Sequence, residues 1–133
     1  MYTDYNSKIK FALISTYEYY DRPVMFSCHI PSMFSLVDKE HYLAILIDDG
    51  HDDSGFWEAF MYVRVSDERF ASFHNNEIEI RDMFLEAEAG FVLVALYLRD
   101  RTIITDWTAS EIPDELLSLP GIYLSKEAST TQV

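Results

Sequence analysis

The sequence predicts an α+β domain: a single antiparallel sheet of about five to six strands, with two or three short helices packed on one face. Three observations carry that expectation. Apolar residues alternate at period 2 in several short runs, two further runs are apolar on both faces, and turn residues or helix caps separate them.

The first run, Ile9–Tyr17, places Ile9, Phe11 and Leu13 on one face and Lys10, Ala12 and Thr16 on the other, the alternation of a strand. Asp21-Arg22-Pro23 then turns the chain, because proline fixes φ and aspartate bonds its own backbone nearby, and a hairpin is expected. Val24, Phe26, Cys28 and Ile30 share the core face of the second strand until Pro31 ends it. His41–Asp48 is apolar on both faces, as in a central strand covered on two sides. Asp49–Gly55 reads as a polar, mobile loop, after which Trp57, Ala59, Met61, Val63 and Val65 line one face of a further strand.

Ser66 is placed to cap a helix whose first turn holds Asp67 and Glu68, where the helix dipole favours negative charge, and which ends near Asn75-Asn76. A second helical segment around Ile80–Ala89 stops at Gly90, and Phe91–Leu98 resumes as a doubly apolar strand with Thr102–Trp107 as its pairing partner. Pro113, Asp114 and Glu115 open a last short helix that Pro120-Gly121 closes. No linker or repeat interrupts this order, so residues 1–124 are expected to form one globular domain and 125–133 a disordered tail.

The 133 residues suffice for a single core, and a 49% hydrophobic content keeps the chain far from disordered composition. Cys28 is the only cysteine, so no disulfide can form within the chain; a reducing, cytoplasmic setting is expected. No apolar stretch is long enough to span a bilayer, and no membrane partner is expected. With 23 acidic against 10 basic residues the formal charge is −13, and the basic residues are scattered singly; direct binding of nucleic acid is disfavoured.

The run Tyr19-Tyr20-Asp21-Arg22-Pro23-Val24-Met25-Phe26 resembles the opening signature of an uncharacterised family of small bacterial domains. Further landmarks follow in the same order: Tyr42-Leu43-Ala44, Val65-Ser66-Asp67-Glu68-Arg69, Ile80-Arg81-Asp82-Met83-Phe84, Ile112-Pro113 and Pro120-Gly121. Each piece alone is a generic turn or cap, and only the series is specific. The resemblance implies a folded unit of bacterial or phage origin and carries over no catalytic residue.

The residue patterns do not assemble a reaction centre. Cys28 and His29 are adjacent in a strand and so point to opposite faces, which leaves the thiol in the core without its neighbour as a base. Asp48, Asp49, His51, Asp52 and Asp53 are the densest set of potential metal ligands. An EF-hand begun at Asp48 would put Gly50 at a ligand position and Ala59 where the bidentate glutamate belongs. No G-x-S-x-G elbow and no phosphate-cradling glycine loop exists, and no cofactor is expected.

Two features remain as candidate interaction surfaces. Between Asp67 and Glu88, the carboxylates of Glu77, Glu79, Asp82, Glu86 and Glu88 join Asp67 and Glu68 against only Arg69 and Arg81. Tyr17, Tyr19 and Tyr20 form an aromatic group beside the turn, with Arg22 as its basic neighbour. The expected function is a non-enzymatic acidic module that binds a protein with a basic surface, as an inhibitor, immunity or accessory protein, with nucleic-acid mimicry as its sharpest form. The competing expectation is a small metal-dependent enzyme built on the Asp48–Asp53 loop, with His51 as ligand or base.

Overall fold

The computed structural model describes residues 2–5, 12–19, 23–29, 41–53 and 55–124. Its strands are β1 (Tyr2–Tyr5), β2 (Ala12–Tyr19), β3 (Pro23–His29), β4 (His41–Asp52), β5 (Gly55–Arg64), β6 (Val92–Tyr97) and β7 (Thr102–Trp107). All seven join one sheet in the order β1-β7-β6-β5-β4-β3-β2. From β2 to β7 it is an antiparallel meander, and β1 adds to the far side of β7 through pairs such as Thr3 with Ile104.

The expected α+β balance is corrected by these elements, because the fold is mostly sheet. Only two α-helices appear among the described residues: α1 (Asp67–His74) has eight residues and α2 (Ile80–Leu85) has six. The second is shorter than the expected Ile80–Ala89 because Glu86 already caps it, and the chain beyond turns back so that Glu88 meets Ser66. The segment after Pro113 forms only a 3-10 turn, Asp114–Leu116. The sheet gains a strand that the sequence reading passed over, Tyr2–Tyr5, whose four residues Tyr-Thr-Asp-Tyr show no period-2 alternation and are too short to stand out.

Connectivity forces this sheet to curl. Seven residue steps separate Tyr5 at one edge from Ala12 at the other, and seven steps of extended chain reach at most about 25 Å. A flat sheet would hold those edges six spacings apart, about 29 Å. Side chains converge accordingly on one face: the rings of Phe26 on β3 and Phe60 on β5 approach to 5.5 Å across β4, where Ala44 leaves them room.

Both faces are therefore core. The inner face buries Phe26, Cys28, Phe60, Tyr62, Ala95 and Tyr97. The outer face carries Met25, Leu43, Met61 and Val63, closed over by Phe70 and Phe73 of α1 and Ile80, Met83 and Phe84 of α2. A large apolar side chain buried in this way contributes about 1.5–3 kcal/mol, so the two short helices are held by their burial more than by their length. Leu13, which shares a face with Ile9 and Phe11 in the alternating run, is half exposed because β2 is an edge strand. Ile9, Phe11 and the tail 125–133 lie outside the described residues.

Candidate functional site

A cleft of about 220 Å³ opens between the edge of the sheet and α1. The strands set its floor by register: Ser15 of β2 pairs with Ser27 of β3, and His29 of β3 with His41 of β4. The helix sets its wall. Ser66 starts α1 directly after β5 by accepting from the Arg69 N–H, and its own N–H donates to Glu88 Oε1 at 2.9 Å. That start brings Asp67, Phe70 and His74 to the cleft, the last two one turn apart on the same helical face.

Four rings surround the space. Phe70 and His74 stack with centroids 5.8 Å apart and planes at 19°. His41 meets Phe70 edge-on at 5.9 Å, and Tyr17 tilts against His74 at 5.7 Å. The Tyr17 hydroxyl and His74 Nε2 share a hydrogen bond of 2.9 Å. Asp67 stands at the rim, its side chain 92% exposed, with Oδ1 3.3 Å from His41 Nδ1. Ser27 lies at the floor and is buried.

Ser27, His41 and Asp67 are the residue types of a hydrolytic triad, and the histidine presents the appropriate nitrogen to the aspartate. Two observations separate the arrangement from one. Among the described residues no hydrogen bond joins Ser27 to His41, and Asp67 is in solvent where a triad's orienting carboxylate is buried. Nor does any group of three or more His, Cys, Asp or Glu side chains suited to a metal occur among the described residues.

The acidic stretch divides by role. Glu77 and Glu86 are exposed. Glu79 is half-buried and accepts from the Gly121 N–H, which fastens the Pro120-Gly121 turn beside α2, where Ile80 N–H donates to Ile122 O. Glu88 is the partner of the Ser66 N–H, and Asp82 is half-buried, with its carbonyl accepting from Arg69. Tyr19 on β2 is 69% exposed; Tyr20 and Arg22 lie outside the described residues.

The Asp49–Gly55 loop is corrected to strand. Asp48 pairs with Ala59, Asp49 with Glu58, Gly50 with Trp57, His51 with Phe56 and Asp52 with Gly55, so the hairpin closes far beyond Asp48. Gly50 allows this, since the Trp57 indole lies where any Cβ would sit, 2.6 Å from Cζ2. Successive side chains of this ladder alternate faces, which disperses the carboxylates.

Cys28 is fully buried on the inner face, and burial pushes its thiol up to about 12; His29 points the other way, its ring 4.9 Å from that of His41. Sequence reasoning missed the cleft residues Ser27, His41 and His74, grouped Tyr17 only with Tyr19 and Tyr20, and saw Asp67 only as a first-turn charge and a member of the acidic stretch. They lie on four separate elements, and no local pattern links them.

A curled, mostly-β meander with a ring-lined cleft and an acidic helical surface is the class of protein these elements define. The chain belongs to a family of unknown function (DUF6575), whose pattern matches residues 8–133. No curated protein and no solved structure matches the chain. Among the described residues no helix is long and apolar enough to cross a membrane.

Proposed function

We propose that the chain is a non-enzymatic protein-binding module that recognises a basic surface through the carboxylates around α1 and α2. One observation carries the reading: the two arginines of that stretch are engaged internally while its outer carboxylates face solvent. Arg69 donates to the carbonyl of Asp82 at 2.9 Å, and Arg81 to the carbonyl of Ser118 at 3.1 Å and to Asp114. Asp67, Glu68, Glu77 and Glu86 are exposed. With a formal charge of −13 behind them, they set up a field that steers a cationic partner into contact and repels nucleic acid. An inhibitor, immunity or accessory role follows from such a module, and mimicry of a phosphate backbone is its sharpest form.

The test is competitive capture. Immobilised wild-type protein and a Glu77→Gln/Glu86→Gln variant are exposed to the same host extract at low and physiological salt. The reading expects a basic protein retained by the wild type, depleted on the variant and released by salt. A partner without a basic surface, or equal retention by both, would remove its support.

A further inference from the structure

We propose that the cleft walled by Tyr17, His41, Phe70 and His74 seats the guanidinium of an arginine side chain from the basic partner, with Asp67 as its counter-ion. The inference deepens the binding reading above and rests on it for the source of the arginine, but the cleft chemistry stands on its own observations.

Size comes first. At about 220 Å³ the cleft falls below the roughly 300–1,000 Å³ of sites that enclose a whole small molecule, and suits a single inserted side chain. Charge comes next. The rim carboxylate of Asp67 is 92% exposed and has the His41 ring beside it, Nδ1 3.3 Å from Oδ1, which leaves Oδ2 for a guest; Arg69 and Arg81 are turned elsewhere, to the Asp82 carbonyl and to Ser118 and Asp114. An anion entering here would face Asp67 and the field of the whole acidic chain, so a cation is the favoured occupant.

The walls then choose among cations. Of the four walls, Tyr17 and Phe70 are the rings whose faces attract a cation within about 6 Å, and a planar guanidinium both stacks on such faces and donates to a carboxylate. An ammonium is a compact, strongly hydrated charge that gains less from such walls. The ring wall is also held in place: the Tyr17–His74 hydrogen bond ties β2 to α1, and Tyr17 meets Phe73 edge-on at 6.0 Å. A preorganised cleft loses less entropy on receiving its guest.

The probes are the blocked peptide acetyl-Gly-Arg-Gly-amide and its lysine and citrulline counterparts, titrated into the full-length isotopically labelled protein and followed by NMR. The arginine peptide is expected to bind in the millimolar range, with shifts centred on Tyr17, Phe70 and His74. Lysine should bind at least about threefold more weakly, and the uncharged citrulline should not bind measurably. Asp67→Asn should weaken the arginine peptide at least about threefold without changing the fold, and Tyr17→Ala should do so by removing a wall. If Tyr17→Ala fails to fold, Asp67→Asn still decides. Absence of binding, equal binding of citrulline, equal binding of lysine, or shifts confined to Glu77 and Glu86 would each overturn the assignment. The two proposals fail separately. Arginine binding that Asp67→Asn weakens upholds the cleft even if Glu77→Gln/Glu86→Gln leaves partner capture unchanged, and the reverse result upholds only the acidic surface.

Discussion

The hydroxyl oxygens of Tyr62 on β5 and Tyr97 on β6 stand 2.7 Å apart inside the curled face of the sheet. Each is buried, and each ring packs close to Phe60, at 6.2 and 6.1 Å. A buried hydroxyl keeps its desolvation penalty when its partner is removed, so the two should be strongly coupled. Tyr62→Phe and Tyr97→Phe are each expected to destabilise the protein by about 1–2 kcal/mol, and the double variant by clearly less than their sum. Additive losses in urea unfolding would show that the pair acts as two independent groups.

The same core predicts an alkaline limit. Burial pushes the Cys28 thiol from its ordinary 9.0 to about 12, and raises Tyr62 and Tyr97 well above their ordinary 10.0. In the unfolded chain these groups release protons at their ordinary values while the folded protein retains them. Their contribution to stability is therefore complete below about pH 9 and is lost as pH rises toward the folded values. Urea midpoints should fall from pH 9 upward, and Cys28→Ala should flatten the decline between pH 9 and 10. A midpoint constant to pH 10.5 would contradict the burial of these groups. On the same ground, a thiol reagent should label Cys28 slowly in the native protein and rapidly in urea.

Elements that depend on neighbours in sequence were legible. Period 2 was enough to assign Cys28 to a core face, and Ser66 followed by Asp67 and Glu68 was enough to start α1. What depended on closure was not. The curl follows from β1 pairing with β7, a contact between the first and last strands that no local pattern encodes. The hairpin at Asp49–Gly55 looked like a loop because its residues are polar, yet Trp57 lying over Gly50 keeps it in the ladder. The cleft was hidden because Tyr17 and His74 are 57 positions apart and meet only when α1 crosses the sheet edge.

That hairpin gives a further test. A methyl group at position 50 would meet the Trp57 ring at 2.6 and 2.8 Å, and a rigid indole cannot yield as a flexible chain would. Gly50→Ala is expected to destabilise by about 1–3 kcal/mol and to alter tryptophan fluorescence. Adding Trp57→Leu should make the alanine nearly harmless. An unshifted midpoint for Gly50→Ala alone would place the indole elsewhere.

The Ser66–Glu88 contact joins the start of α1 to the turn after α2, across 22 positions. Glu88→Ala should leave the Ser66 N–H without its acceptor and destabilise by about 1 kcal/mol, whereas Glu88→Gln, which keeps an acceptor oxygen, should lose less. Thermal midpoints of the two variants decide, and equal losses would mean that charge alone matters at this site. For that reason Glu88 and Glu79 are poor choices for testing a binding role.

Glu77 and Glu86, both exposed, are the clean choice: Glu86 closes α2 through its backbone N–H to the Asp82 carbonyl, which a glutamine side chain leaves in place, and exposed side-chain changes usually shift stability by less than about 0.5 kcal/mol. The most direct test is the association rate of the captured basic partner with wild type and with Glu77→Gln/Glu86→Gln, measured from low to physiological salt. Steering by exposed carboxylates predicts slower association and a shallower salt dependence for the variant, with the thermal midpoint nearly unchanged. Identical rates and identical salt slopes would contradict it and leave the acidic surface as an ordinary solvated face.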